Sequence, residues 1–146
     1  MLDVYQIAEK ISDINPAQLL QKLLGRRDIK KLMIDLNTDN QLRKRNENPF
    51  NVKLASIGGG YAPSYARKKG VAPNKVDLRD SGRYYKTFKV TPLANGNAEI
   101  TSDNTIHGPD TFLANERWGE VEGLNEANTK IVLHALDEEI IQYILS

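Results

Sequence analysis

The first 45 residues place apolar side chains three or four positions apart, which is the spacing of one face of an α-helix. Asn15 followed by Pro16 predicts the start of a second helix, because asparagine caps a helix and proline fits its first turn. Gly25 predicts the end of that helix, and Asp28 predicts the cap of a third. The apolar positions on the faces of these predicted helices are Val4, Ile7, Ile11, Ile14, Leu19, Leu20, Leu23, Leu24, Ile29, Leu32, Met33 and Leu36. Residues 1–45 are therefore predicted to form a helical N-terminal part.

This periodicity fails between residues 46 and 75, where glycine and proline recur. The interrupting residues are Pro49, Gly58, Gly59, Gly60, Pro63, Gly70 and Pro73. A structureless segment of this length is uncommon inside a compact domain unless it is disordered alone or ordered by a neighbour. The segment is therefore predicted to be a long irregular loop that acts as an interaction arm.

Alternating apolar and polar residues predict one antiparallel β-hairpin within residues 76–118. Phe88 and Val90 alternate with polar residues, and the alternation resumes after the dipeptide Asn95-Gly96. That dipeptide predicts a tight turn, since both residue types adopt positive backbone angles readily. The side chains expected to pack the body of the domain are Val76, Leu78, Tyr84, Tyr85 and Phe88.

A last amphipathic helix is predicted within residues 119–146, with Asn125 as its cap. Its wide apolar stripe, which favours packing in a core over binding a partner, comprises Ile131, Val132, Ala135, Leu136, Ile140, Tyr143 and Ile144. Together the patterns predict a single α+β domain over residues 1–146. Its N- and C-terminal helices pack on a small antiparallel β-sheet, with the long irregular loop between them.

The composition is that of an ordinary globular domain, with 40% hydrophobic and 27% charged residues. The 20 basic residues nearly balance the 19 acidic ones, so the formal charge of +1 gives no long-range field toward DNA or an anionic membrane. Cysteine is absent, which excludes disulfides and thiolate chemistry. The N-terminus carries acids where a secretory signal would carry bases, and no apolar run is long enough to span a membrane. The protein is expected to stay in a cytoplasm, or in a particle assembled there, without membrane contact.

Two histidines, His107 and His134, are the candidate imidazole groups for chemistry, and neither has a partner at metal-ligand spacing. His107 lies between Asp103 and Asp110, a grouping that would suit metal binding or acid–base catalysis in a small hydrolase. The favoured interpretation is a solvated loop, because turns require the same residue types. The glycine triplet that begins at Gly58 is not followed by the lysine and hydroxyl residue of a phosphate-binding loop. The sequence therefore predicts no catalytic site, no metal site and no cofactor.

Two basic clusters flank the middle of the predicted arm, Arg43, Lys44 and Arg45 before it, and Arg67, Lys68 and Lys69 within it. With Tyr61 and Tyr65 between them, they would suit a nucleic-acid strand through phosphate contacts and base stacking. The alternative function is therefore that of a small nucleic-acid-binding protein. The favoured interpretation, given the nearly neutral charge, is a solvated basic loop that pairs with acidic residues of a neighbouring subunit.

Four stretches of the chain, taken together and in order, resemble a family of small proteins encoded by phages and prophages of Bacteroidetes. They are IDLNTDNQL at residues 34–42, SYARKKG at 64–70, VDLRDSGRYYKTFKV at 76–90 and WGEVEGLNEAN at 118–128. That family is similar to the tail-completion and neck proteins of long-tailed phages. Their leucine, capping serine or threonine, glycine and aromatic-rich strand resemble Leu78, Ser81, Gly82 and Phe88. The chain departs from the family at residues 43–54, where relatives have a glycine-containing turn.

The resemblance implies a structural role in the virion, as a homo-oligomeric ring between the head-side connector and the tail. The implied partners are copies of the same chain and the neighbouring phage connector and tail proteins, with DNA in the ring lumen as a further candidate. The implied location is the virion and, during assembly, the host cytoplasm. No catalytic residues come with the resemblance, so the chain is not expected to be an enzyme.

A closed ring requires that one patch on each copy meets a different patch on the next, and a long arm beside a compact body would provide this contact. The segment from Pro49 to Lys75 is therefore the predicted subunit interface, with Tyr61 and Tyr65 as aromatic anchors. The predicted interface residues are Pro49, Phe50, Tyr61, Tyr65, Arg67, Lys68 and Lys69.

Overall fold

Consecutive helices form the N-terminal part of the structure, a computed structural model that describes residues 3–106 and 112–146. α1 spans Val4–Ser12, α2 spans Pro16–Leu24 and α3 spans Arg27–Asp35, and a π-helix over Leu36–Lys44 follows directly. The predicted cap of α2 is confirmed, because Asn15 Oδ1 accepts a hydrogen bond from the Gln18 amide at 3.2 Å. The predicted cap of α3 is wrong, since the helix begins at Arg27 and Asp28 lies in its first turn, bound to the Arg26 side chain.

The π-helix occupies the polar end of the predicted helical part. Its wide turns are closed by hydrogen bonds between residues five apart, such as the one from the Arg45 amide to the Asn40 carbonyl at 3.1 Å. Asn37 and Gln41, four residues apart, both face the interior and are fully buried. The spacing of apolar residues does not reveal this buried face of the π-helix, because its inward side chains are polar.

The two buried amides of the π-helix tie it to the chain that precedes the last helix. Asn37 Oδ1 accepts a hydrogen bond from the Gly123 amide at 2.7 Å, and Gln41 Nε2 donates to the Gly123 carbonyl at 2.8 Å. Gln41 Oε1 accepts from the Asn125 amide at 2.8 Å and from Asn128 Nδ2 at 2.9 Å. These bonds form the amide network, in which side chains satisfy backbone groups that lie far away along the sequence.

Residues 46–75 are folded against the rest of the chain, which corrects the prediction of an irregular arm. This segment contains α4 over Leu54–Gly58 and α5 over Pro63–Lys69. Leu54 and Ala66 are buried, so both helices contribute to the core. Pro63 begins α5, and Gly70 ends it with a positive φ of 77°. The glycines and prolines that interrupt the periodicity therefore include the boundaries of short helices.

The predicted β-hairpin is confirmed. β1 spans Lys89–Pro92 and β2 spans Ala98–Thr101, and the two strands pair in antiparallel orientation. The turn differs from the prediction, because Gly96 has a positive φ of 87° and Asn95 does not have a positive φ. The Leu93 amide donates to the Asn97 carbonyl at 2.8 Å, so the loop holds one residue more than the predicted two-residue turn.

A second antiparallel pair, a short helix and a long helix complete the described chain. β3 spans Thr105–Ile106, β4 spans Phe112–Leu113, α6 spans Ala114–Trp118 and α7 spans Glu126–Leu145. The predicted cap of α7 is confirmed, since Asn125 Oδ1 accepts a hydrogen bond from a first-turn amide at 2.8 Å. Val132 and Leu136 of the predicted stripe are buried, whereas Ile131 and Tyr143 are 48% and 38% exposed.

Buried side chains form two hydrophobic clusters that meet at Ile34 and Ile100. One cluster surrounds Trp118, and the other lies between α3 and α7. The residues predicted to pack the body are all buried, namely Val76, Leu78, Tyr84, Tyr85 and Phe88. The α+β class, with helices at both ends and a small antiparallel sheet, is therefore confirmed. Within residues 3–106 and 112–146, no helix has both the length and the apolar character that a membrane crossing requires.

We expect the Gln41→Leu substitution to lower the free energy of unfolding by roughly 2–4 kcal/mol. The change leaves the Asn125 amide and the Gly123 carbonyl without their side-chain partner. Chemical denaturation followed by circular dichroism measures the loss. Gln21→Leu is the matched control, because Gln21 is exposed on α2 and its replacement should change stability by less than about 0.5 kcal/mol. Equal stability of the two variants would show that the amide network contributes nothing.

Candidate functional site

Tyr61, predicted as an aromatic anchor for a neighbouring subunit, lies in the core of its own chain. It is 7% exposed. Its ring meets the rings of Tyr65 and Trp118 edge to face, with centroid distances of 5.0 and 6.3 Å. This arrangement corrects the prediction for Tyr61, because a side chain packed in this way has no face left for another chain. Tyr65 is half-buried and keeps part of its surface accessible.

The Tyr61 hydroxyl binds the backbone at Asp77 and Leu78. Its oxygen accepts hydrogen bonds from the amides of Asp77 and Leu78 at 3.2 and 3.0 Å, and its proton is donated to Asp77 Oδ1 at 3.0 Å. Leu78 has a φ of 58°, a left-handed conformation that a leucine rarely adopts. The three hydrogen bonds and the burial of Leu78 hold this conformation in place.

Asp77 also binds the ammonium group of Lys69, at 2.8 Å to Oδ1 and 3.0 Å to Oδ2. Lys69 reaches the carbonyl of Arg79 as well, and the Tyr65 hydroxyl donates to Asp80 Oδ1 at 2.9 Å. The side chains of Lys69 and Asp77 are 15% and 13% exposed, so this ion pair is shielded from water on most sides. α5 is thereby attached through Tyr65 and Lys69 to residues 77–80.

The tyrosines of this region are held in their neutral form. Burial raises the pKa of Tyr61 and Tyr85 well above the ordinary tyrosine value, and the charge of Asp77 raises both further. Burial also raises the pKa of Tyr65 and of Tyr84. A neutral phenol both donates and accepts hydrogen bonds, which is what the position of Tyr61 requires.

A pocket of about 590 Å³ opens beside the ion pair of Lys69 and Asp77, and we call it the basic pocket. It is lined by Arg43, Tyr65, Lys68, Lys69, Val71, Lys75, Asp77, Arg79 and Asp80. Its cations outnumber its carboxylates, and Lys69 alone of these cations has an ion-pair partner among the residues that the structure describes. The volume lies within the range typical of small-molecule sites.

The basic pocket brings together half of the two predicted basic clusters. Arg43 comes from the last turn of the π-helix, and Lys68 and Lys69 come from the last turn of α5. Tyr65 precedes Lys69 by four residues, so the two side chains lie on the same face of α5. The remaining members of the clusters, Lys44, Arg45 and Arg67, are exposed and do not line the pocket.

Sequence reasoning missed Lys75, Arg79, Asp77 and Asp80 as members of the site. Basic residues recur beyond the cluster of residues 67–69, and this was the available signal for the two cations. The carboxylates gave no such signal, because their spacing resembles that of any polar loop. Their roles become visible once Tyr61 and Tyr65 are seen to bind them.

Pro49 and Phe50, also predicted at the interface, lie in a turn of their own. The Asn48 side chain shapes this turn by accepting the Phe50 amide at 2.9 Å. Phe50 is 70% exposed, so it remains available for contact with another chain. Pro49 is half-buried and packs closely against Gly123. A Cβ atom placed on Gly123 would lie 3.3 Å from the proline ring.

The hydrolase hypothesis depended on Asp103, His107 and Asp110, of which His107 and Asp110 lie outside the described residues. Asp103 Oδ1 accepts the Thr105 amide at 2.9 Å, which is a turn-forming contact. Among residues 3–106 and 112–146, no group of three or more histidine, cysteine, aspartate or glutamate side chains has the arrangement of a metal site.

No protein-family model, curated protein or solved structure matches the chain.

The raised tyrosine pKa values lead to a prediction about alkaline pH. Because the folded chain keeps phenol protons that the unfolded chain loses, stability is fully present below about pH 10, the ordinary tyrosine value, and declines as the pH rises above it. We expect phenolate absorbance from Tyr61, Tyr65, Tyr84 and Tyr85 to appear together with the loss of circular dichroism. Chain unfolded in denaturant supplies the reference titration. Phenolate formation by these four tyrosines in a chain that remains folded would show that they are not held as described.

Proposed function

We propose that the protein is a non-enzymatic structural component of the neck or tail-completion region of a tailed-phage virion. In this role it assembles with copies of itself into a ring between the head-side connector and the tail, in the virion and, before that, in the host cytoplasm. Two lines support the proposal. One is the resemblance of residues 34–42, 64–70, 76–90 and 118–128 to phage proteins of this class. The other is the apolar surface that the terminal helices leave exposed.

The observation that carries the proposal is that α7 is apolar on more than one side. Val132 and Leu136 point into the core. Ile141 follows Val132 by about two and a half helical turns, so it lies on the opposite side, and Leu145 lies one turn further on. Ile141 and Leu145 are 53% and 55% exposed. A helix with apolar residues all around is typical of one that is covered on both sides.

α1 carries the same signal at the other end of the chain. It has a capping box formed by Asp3 and Gln6 and a regular apolar stripe, yet none of its residues is buried. Val4 is 78% exposed and Ile11 is 51% exposed. α1 lies against α7, where Lys10 Nζ donates to the Ser146 carbonyl at 2.9 Å. Exposed apolar residues therefore lie on two helices that contact each other, as a protein–protein contact requires.

A ring also needs a second, different patch that receives the first. The turn around Phe50 is our candidate, since it adds exposed Val52 and Ile57 in the same part of the chain. The proposed interface thus keeps Phe50 from the sequence-based prediction. In the proposed interface, the terminal helices α1 and α7 take the place of the predicted interaction arm as the main contact.

We expect the parent chain to form an oligomer in solution and Ile141→Glu to shift it toward the monomer, because the new charge would be buried at the contact. Mass measurement by light scattering across a concentration series, alone and with a candidate connector protein, provides the readout. Gln142→Glu is the matched control: it adds the same charge at the neighbouring exposed position of α7 and should leave the mass nearly unchanged.

A parent chain that stays monomeric at every concentration and does not bind the connector would argue against ring assembly.

Nucleic-acid binding through residues 43–45 and 67–69 is the alternative function. One observation favours this alternative, namely that Arg43 and Lys68 converge on the basic pocket. Micromolar DNA binding at physiological salt by a chain that stays monomeric and does not bind the connector, measured by gel shift, would favour the alternative, whereas DNA binding by a chain that also assembles is compatible with the structural role.

A further inference from the structure

The basic pocket gathers positive charge that the described part of the chain does not neutralise. Among residues 3–106 and 112–146, no carboxylate lies within ion-pair distance of four lining cations, Arg43, Lys68, Lys75 and Arg79. Like charges around one concave surface repel each other, although water screens part of this repulsion because Arg43, Lys68 and Lys75 are exposed. Such an arrangement favours an anion that binds between the cations.

The carboxylates of the pocket are already engaged by other groups. Asp77 accepts hydrogen bonds from Tyr61, from Lys69 and from the Arg79 amide, the last at 3.0 Å. Asp80 accepts the Tyr65 hydroxyl. Both therefore serve to fix the base of the pocket, and the four cations that lack a carboxylate partner in the described chain remain for a ligand.

The base of the pocket is rigid. The left-handed backbone at Leu78 is held by the Tyr61 hydroxyl, and the Tyr85 hydroxyl donates to the Asp77 carbonyl beside it. Side chains that project from this base need little reorganisation when a ligand arrives, so less free energy is lost on binding. Strained backbone of this kind is concentrated at ligand sites and switch regions of proteins.

We propose that the basic pocket binds the phosphate group of a nucleotide or of a nucleic-acid strand. A phosphate offers several acceptor oxygens on one centre, and an arginine fork with surrounding ammonium groups matches that geometry. Arg79 and Arg43 provide the guanidinium groups, and Lys68 and Lys75 provide the ammonium groups. The half-buried ring of Tyr65 lies in the same pocket and offers a surface to a base or sugar.

This binding site goes beyond the proposed structural role and does not depend on it. The test therefore uses the full chain alone, whether or not it assembles. The probe is a short fluorescently labelled oligothymidine, followed by anisotropy at about 0.1 M salt. Unlabelled inorganic phosphate and a short polyglutamate peptide serve as competitors.

The decisive comparison is between two double variants with equal change in charge. The pocket pair is Arg43→Gln with Lys68→Gln. The control pair is Lys44→Gln with Arg67→Gln, which removes one lysine and one arginine from the adjacent positions outside the pocket. None of these four residues has an ion-pair partner among the described residues, so all variants should fold, and circular dichroism checks this.

We expect the pocket pair to weaken oligothymidine binding by about tenfold or more, and the control pair to weaken it by less than about twofold. Displacement by inorganic phosphate at matched phosphate concentration would assign the site to free phosphate compounds. Displacement at much higher phosphate concentration alone would assign it to a nucleic-acid strand. Both results support the phosphate site.

Three results would overturn the proposal. One is no binding of the labelled oligothymidine by the parent chain. Another is equal weakening by the two pairs, since that would reflect general surface charge rather than the pocket. The third is displacement by polyglutamate at lower concentrations than by any phosphate compound, which would give the pocket to an acidic protein partner.

Discussion

Tyr61 buries its hydroxyl against the backbone of Asp77 and Leu78, and the middle of the chain is arranged around that contact. The neutral phenol accepts hydrogen bonds from two amides and donates one to a carboxylate, and its raised pKa keeps this proton in place at alkaline pH as well. The left-handed conformation of Leu78 costs about 1–3 kcal/mol, which these hydrogen bonds and the burial of the Leu78 side chain offset. The same contact brings Lys69 beside Asp77 and thereby shapes the base of the basic pocket.

The amide network makes a similar connection on the other side of the core. Asn37 and Gln41 direct their hydrogen bonds to backbone groups that lie more than 80 residues later in the chain. Such buried polar contacts add little net stability compared with apolar packing, but they penalise any arrangement that leaves them unmade. They therefore select one position of α7 relative to the π-helix. With α7 fixed by one face, its remaining apolar residues are left at the surface.

The two proposed functional surfaces lie in different parts of the structure. The contact at Tyr61 produces a charged concavity between α5 and the end of the π-helix. The terminal helices instead expose Ile141, Leu145 and Val4, which suit association with another chain. The proposed ring contact and the proposed phosphate site therefore use different residues. A change in one surface can be made without direct damage to the other.

Signals that act over a few residues can be read from the amino-acid sequence by itself. The caps at Asn15 and Asn125 and the hairpin are of this kind, because each depends on neighbours along the chain. Whether residues 46–75 fold or remain irregular depends on tertiary contacts. There, the glycines and prolines look alike whether a segment is disordered or folded into short helices, and the contact of Tyr61 with Leu78 distinguishes the two. The basic pocket likewise exists because folding brings Arg43 close to Lys75, and no spacing along the chain encodes a distance between such separated residues.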